Sequence, residues 1–308
     1  MGISTQILGY ATYLLFAQKS PYTTLTDIAS KLGPSETLTE MVAEAEPQKE
    51  LKGVDLKKWK LAIREGDKAY SAFRLSEALQ HFEFAHSQTP KNRIVLKKLF
   101  NAQVFYATHL YDTQQAGSEE YFQKAVQSAE ALQRQDPTDP ESEFFVAYSL
   151  GSLALFKGGK EKVKLGWKVK DHAQRALTLD PLYWPAHVAL GVFYKEVAAL
   201  TFWERFFGKL LYGKIPEHTY EDALAEFEKA RKMEPRLPYI YWEMGVIYER
   251  MDDTPRMIEA LKKFLSMPDV LPRDPYLRTQ AKKKLADYGT SLTEASPSRR
   301  NSDEEEDE

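Results

Sequence analysis

Four stretches of the chain repeat one spacing of small, apolar and proline positions. A small residue is followed four positions on by an apolar or small one. Three positions further comes another small or apolar residue, and five beyond that a proline. The four copies are Ala78, Phe82, Ala85, Pro90; Ala125, Ala129, Leu132, Pro137; Val169, Ala173, Ala176, Pro181; and Ala223, Phe227, Ala230, Pro235. The first three positions of each copy lie a helical turn apart and form one narrow stripe. Small side chains in that stripe allow a neighbouring helix to approach closely. The proline has no backbone donor and cannot continue a helix interior, so it ends one helix and opens the next. Asp136 and Asp180, directly before Pro137 and Pro181, are expected to cap the following helices. Repetition of this kind predicts an all-α, right-handed helical solenoid of four to five degenerate helix pairs, an architecture used for binding more than for chemistry.

Within residues 55–288 the helices pair off. Ala62, Gly66 and Ala69 mark the partner of the first stripe. Tyr241, Met244, Gly245 and Tyr248 begin a fifth pair, completed by Met257, Leu261 and Phe264. A C-terminal capping helix is expected over 275–288, with Lys282, Lys283 and Lys284 toward solvent, and no stretch alternates with period two for long enough to be a strand. One connection is enlarged: Gly191 to Ala223 is 32 residues, against 12 from Gly245 to Met257. The extra chain, an insert over 200–219, carries Phe202, Trp203, Phe206, Phe207, Leu210 and Leu211 at helical spacing, with Glu204, Arg205 and Lys209 between them. That is an amphipathic helix with a bulky apolar face. It is read either as core that covers the enlarged gap or as a lid facing a lipid or a partner.

The ends differ in character from the body. Residues 1–18 carry no charged side chain, yet the run is short and polar for a spanning helix. A membrane anchor and a helix docked on the solenoid are both open. A secretory signal is disfavoured, because Lys19 follows the apolar run instead of preceding it. Residues 19–54, punctuated by Pro21, Gly33-Pro34 and Pro47, read as a linker. The polar segment 289–308 cannot bury enough apolar surface to fold and is expected to be a disordered acidic tail. In it, Ser296 precedes a proline and Ser302 lies between Arg299-Arg300 and an acidic run, so both are candidate phosphorylation sites. Net charge is -3 although Asp303 to Glu308 are all acidic, which leaves the remainder mildly basic.

Most of that surplus is concentrated between 157 and 170. Lys157, Lys160, Lys162, Lys164, Lys168 and Lys170 are accompanied there by a single glutamate, and Lys160, Lys164 and Lys168 share one helix face. Such a face is either simply solvated or suited to an anionic partner. Trp167 is the one aromatic among them, so stacking on nucleic-acid bases is not expected. Catalysis has little to stand on. With no cysteine there is no disulfide, thiolate zinc site or cysteine nucleophile. The six histidines lack metal-ligand spacing, and neither a phosphate-binding loop nor a nucleophile elbow is present. No catalytic residue, metal site or cofactor is assigned, and the chain is read as non-enzymatic. The stretch Glu143-Phe144-Phe145-Val146-Ala147 resembles a receptor-binding motif of two phenylalanines in an acidic tract, but it falls where a repeat helix should be packed.

The units resemble tetratricopeptide repeats: Tyr241, Met244-Gly245 and Tyr248 match that family's first helix, and the copies ending at Pro90 and Pro235 match its second. The spacing departs from it, since the four prolines lie 47, 44 and 54 residues apart. Around the insert, Gly191, Trp203, Pro216, Tyr220, Glu221, Ala223, Leu224, Phe227, Ala230, Pro235, Gly245 and Tyr248 resemble the regulator of microtubule dynamics family. That resemblance implies microtubule or spindle association. For at least one member it implies a membrane-anchored tether between mitochondria and endoplasmic reticulum, with lipid binding by the repeats. The resulting expectation is a cytoplasmic adaptor of protein partners, tubulin or microtubules among them. It would act through the solenoid groove and the lysine face, with residues 1–18 as a candidate tether to the cytosolic face of a mitochondrial or endoplasmic-reticulum membrane. The rival is a phospholipid-binding or lipid-transfer module at a membrane contact, with the insert as its lid.

Overall fold

The computed structural model describes residues 55–289 apart from 202–204, 206–208, 211, 212 and 214–216. Among the described residues are eleven α-helices and no strand. They are α1 Leu56–Ser71, α2 Leu75–Gln88, α3 Arg93–Asp112, α4 Ser118–Gln135, α5 Pro140–Leu153 and α6 Gly159–Leu179. After these come α7 Trp184–Ala198, α8 Tyr220–Met233, α9 Pro238–Arg250, α10 Thr254–Leu265 and α11 Asp274–Asp287. Neighbours pack as α1/α2, α3/α4, α5/α6, α7/α8 and α9/α10, so there are five pairs, and α11 packs on the last. This is the all-α helical solenoid that the repeated stripe predicts. Each stripe is buried, with Ala78, Phe82, Ala85, Ala125, Ala129, Leu132, Ala173, Ala176, Ala223, Phe227 and Ala230 no more than 2% exposed.

The proline works differently from the expectation. It sits in a tight turn, and the next helix opens three residues later. In all four copies the carbonyl of the residue before the proline accepts from the amide three positions on: Asn92 to Thr89, Asp139 to Asp136, Tyr183 to Asp180 and Leu237 to Glu234, at 3.0–3.4 Å. Proline fits the second position of such a turn because its fixed φ is already correct. The Asp136 and Asp180 carboxylates therefore fold the turn, accepting from the amides of Thr138 and Leu182. The cap of α5 is Asp139, which accepts from the Glu141 amide at 3.1 Å.

Within a pair, three connections are equally tight. Phe73, Gln114 and Asp252 adopt φ of 57°, 56° and 58°. There the chain reverses through a left-handed residue, with hydrogen bonds such as Arg74 N to Ala69 O and Asp253 N to Tyr248 O closing the helix end. The α5/α6 and α7/α8 connections break this rule. The first runs through a 3₁₀ turn, Ala154–Phe156, and the second through the insert.

The inner helices are enclosed. Every residue of α5 from Glu141 to Ser152 is buried, including Phe144 and Phe145 at 0% exposure, so the two-phenylalanine motif is core. The loop before α11 reaches back across the molecule. Arg273 Nε and Nη2 each donate to the Asp112 carboxylate at 2.8 Å, joining positions 161 residues apart. Burial opposes the Arg273 charge, but Asp112 outweighs it and the pKa is raised, with the Tyr239 and Tyr148 hydroxyls adding to the same field. The loop is thus tied to the C-terminal end of α3.

Candidate functional site

Two features stand out, an apolar cavity and a lysine face, and α6 contributes to both. The cavity follows from side-chain volume. Ten residues after each turn proline stand Phe100, Ala147, Gly191 and Gly245; eight before each stand Phe82, Ala129, Ala173 and Phe227. Where the first helix of a pair has glycine, the second supplies a bulky group that fills it. A Cβ on Gly191 would lie 2.9 Å from the Phe227 ring, one on Gly66 2.5 Å from Phe82 and one on Gly245 2.8 Å from Leu261. The α3/α4 pair reverses the arrangement, with Phe100 on the first helix and Ala129 on the second. In α5/α6 both positions are alanine, and no ring fills the contact.

A cavity of about 180 Å³ opens beside that contact, between α5, α6 and α7. Ala147, Gly151, Gly166, Val192, Val197 and Leu200 form part of its wall. Two charged side chains, Lys162 and Glu196, and the Tyr148 phenol join it. Glu196 Oε1 is shielded from solvent and has no hydrogen-bond partner. Lys195 Nζ stands 3.6 Å from it but is held 2.5 Å from Glu243 Oε2, in a pair with no exposed side-chain surface. Burial raises the Glu196 pKa, with Lys195 and Arg250 pulling the other way. The chamber suits an apolar molecule with one polar end.

The insert leaves α7 at this cavity. Arg205 donates to the carbonyls of Val197 and Leu200 at 2.6 and 3.2 Å, folding the start of the insert back over the end of α7. The insert returns where His218 stacks on Tyr194, ring centroids 3.8 Å apart. Thr219 and Asp222 then form a capping box that opens α8. Of the six apolar insert residues read as either core or a lid facing a lipid or partner, Leu210 is 70% exposed. Phe202, Trp203, Phe206, Phe207 and Leu211 lie outside the described residues, as do residues 1–18, Ser296 and Ser302.

The lysines occupy the N-terminal half of α6 and the turn before it. Lys160, Lys162, Lys164 and Lys168 are exposed and make no ion pair among the described residues, while Lys157 and Lys170 are partly buried. Lys157 Nζ lies 2.7 Å from Glu119, which raises its pKa, and Lys170 lies over the Trp167 ring at 5.3 Å. Further along α6, His172 and Arg175 converge on the buried Glu143 of α5. Burial alone would raise the Glu143 pKa; hydrogen bonds from His172 and Gln133 outweigh it, and it falls. Sequence reasoning found the lysines through their density but missed Glu196, Glu143 and the Lys195–Glu243 pair, because an isolated acid on a helix reads as a solvated face. Among the described residues no cluster of three or more His, Asp or Glu could hold a metal, and no helix is long and apolar enough to cross a membrane.

The family model described as Regulator of microtubule dynamics protein 1-3 matches residues 62–289, most of the chain. The chain belongs to the regulator of microtubule dynamics family. Among relatives, Regulator of microtubule dynamics protein 3 of Bos taurus is 26% identical over 157 residues, covering 50% of this chain and 33% of that protein. Regulator of microtubule dynamics protein 1 of Homo sapiens is 22% identical over 169 residues, covering 54% and 53%. Protein 1 of Bos taurus is 28% identical over a shorter stretch, 29% of this chain and 28% of the relative. The chain therefore spans about half or less of these relatives' lengths. Among solved structures, a thermophilic TPR protein of Thermus thermophilus superposes with a TM-score of 0.55 at 18% identity, over 74% of this chain and 99% of that one. It shares the fold. This member of the family is thus built as a tetratricopeptide-like helical solenoid.

Proposed function

We propose that this adaptor captures an anionic protein surface, tubulin in the microtubule being the candidate its family suggests, on the lysine face of α6. The observation that carries the reading is the stripe of exposed Lys160, Lys164 and Lys168, with Lys162 beside it, none of them neutralised by a folded carboxylate among the described residues. Burial of every α5 residue from Glu141 to Ser152 favours the neighbouring, lysine-bearing α6 as the contact surface. Recognition then falls on the outside of the solenoid, where long-range attraction to acidic segments accelerates encounter and weakens with salt. The test is co-sedimentation with microtubules of the full chain and of the triple variant Lys160→Glu, Lys164→Glu, Lys168→Glu. Binding should fall at least tenfold in the variant at low salt. Equal binding by both proteins would remove the lysine face from the mechanism.

A second reading is supported by the cavity: a lipid chain or comparable apolar molecule held between α5, α6 and α7, with Glu196 and Lys162 at its polar end. Native mass spectrometry of gently purified full chain, followed by lipid identification, tests it. A stoichiometric lipid that is lost in Ala147→Leu supports this reading. A clean unliganded mass after incubation with phospholipid vesicles counts against it.

A further inference from the structure

We infer that the acidic run Asp303–Glu308 docks on the lysine face of α6 in the same chain, so that the molecule covers its own anion-binding surface. The inference rests on the lysine-face reading above and adds its regulation. It begins from an imbalance. α6 opens at Gly159 with no side-chain cap, and four of its first ten residues are exposed lysines, against one acid, Glu161. Cations are disfavoured in the first turns of a helix, where the backbone amides already present positive charge. Glu119 pairs with Lys157, yet Lys160, Lys162, Lys164 and Lys168 make no ion pair among the described residues, and Lys162 among them lies near a folded carboxylate, Glu196, across the cavity. The complementary excess exists elsewhere in the sequence, as six consecutive acids at 303–308.

Reach permits the contact. Tyr276, in the first turn of α11, lines the same cleft as Phe156, the residue before Lys157. The start of α11 is therefore close to the start of the lysine segment. α11 has 14 residues and so rises about 21 Å away from that point. From Gly289 to Asp303 the chain can span up to about 50 Å when extended, more than the distance of about 21 Å back along α11 together with about 16 Å from Lys157 to Lys168. A segment tethered this way meets the face at high effective concentration and competes with any free acidic partner. The basic residues nearer in sequence offer less. Lys284 is held by Glu249 at 2.6 Å, and Asp287 stands one turn beyond Lys283. Each exposed charge pair is weak and screened by salt, so the contact should be reversible. Phosphate on Ser302, directly before the run, would strengthen it.

Zero-length carbodiimide coupling of the full chain, using an equal mixture of ¹⁴N- and ¹⁵N-labelled protein, reads the contact directly. The expected products are amide links between carboxylates 303–308 and Lys160, Lys164 or Lys168, within peptides of a single isotope and diminished in high salt. Links of which about half join the two isotopes, the statistical result for contact between molecules, would assign the face to a second copy. Links confined to Lys282 and Lys283, or none at all, would equally overturn the proposal. A variant neutralising the run (Asp303→Asn, Glu304→Gln, Glu305→Gln, Glu306→Gln, Asp307→Asn, Glu308→Gln) leaves α1–α11 untouched and should bind microtubules three- to tenfold more tightly at low salt. If the lysine-to-glutamate variant shows that microtubules bind elsewhere, the coupling experiment still judges the intramolecular contact by itself.

Discussion

The α7/α8 and α5/α6 pairs are neighbours in space and share one register relative to their proline turns, yet one is solid and the other hollow. In α7/α8 a glycine on the first helix receives the Phe227 ring, and the helices close on each other. In α5/α6 the corresponding residues are Ala147 and Ala173, both fully buried, and a cavity lies alongside. In the α3/α4 pair the large residue is on the first helix, where Phe100 stacks on Phe145 of α5 with ring centroids 4.3 Å apart. What each pair needs is one large and one very small residue at the crossing. Two carboxyl groups outside these crossings extend the comparison, Asp274 at the capping helix and Glu196 on α7. Asp274 Oδ2 accepts from the amides of Val270 and Leu271 at 2.7 Å while its Oδ1 accepts no hydrogen bond; Glu196 Oε1 at the cavity wall also accepts none and has Lys195 Nζ 3.6 Å away. A solenoid can therefore be closely packed at several crossings and leave a lined cavity at one junction, where an apolar ligand would gain most.

The contrast can be broken from the solid side first. Phe227→Ala should remove about 3–5 kcal/mol of stability, because a fully buried ring leaves a cavity that Gly191 cannot fill. Chemical denaturation measures it, and a loss near zero would mean that the ring is not what closes the pair. Gly191→Ala should cost about 1–3 kcal/mol, since the new Cβ must displace the Phe227 ring.

The two buried acids give a smaller, pH-dependent effect. Burial raises the Asp274 pKa from 3.8 to about 6, so the folded protein binds a proton more readily than the unfolded chain. Stability contributed by this group is therefore gained as pH falls through 6 and lost as it rises. Between pH 7 and 5 wild type should gain about 1 kcal/mol relative to Asp274→Asn. Parallel curves for the two proteins would show that this carboxyl group is not the cause. The smallest change is expected on the hollow side. Ala147→Leu, placed against free volume, should alter stability by less than about 1 kcal/mol. A loss as large as that of Gly191→Ala would mean that the junction is as closely packed as its neighbour.

Much of this was legible in the residues. The stripes of Ala78, Phe82 and Ala85 and their three relatives locate the second helix of each pair, and the prolines locate the turns between pairs. The lysine density of 157–170 marks an exposed helix face, as the structure places it. Other features resist such reading because they depend on two distant segments at once. Asp136 and Asp180 look like helix caps until the turn hydrogen bonds show the next helix opening three residues later. Lys195 and Glu243 each look like a solvated charge, although together they form a fully buried pair 48 residues apart. Arg273 gives no sign in sequence that it reaches Asp112.

By itself the sequence determined the helices, their order, the proline-bearing turns and the placement of charge, because these depend on neighbours within one or two helical turns. The tertiary structure decided where the core is hollow, which carboxylates are stranded or paired, and how far the inner face is closed. Those properties are sums over surfaces brought together from far along the chain. Two alanines are ordinary singly, and become a missing ring only when the register sets one against the other.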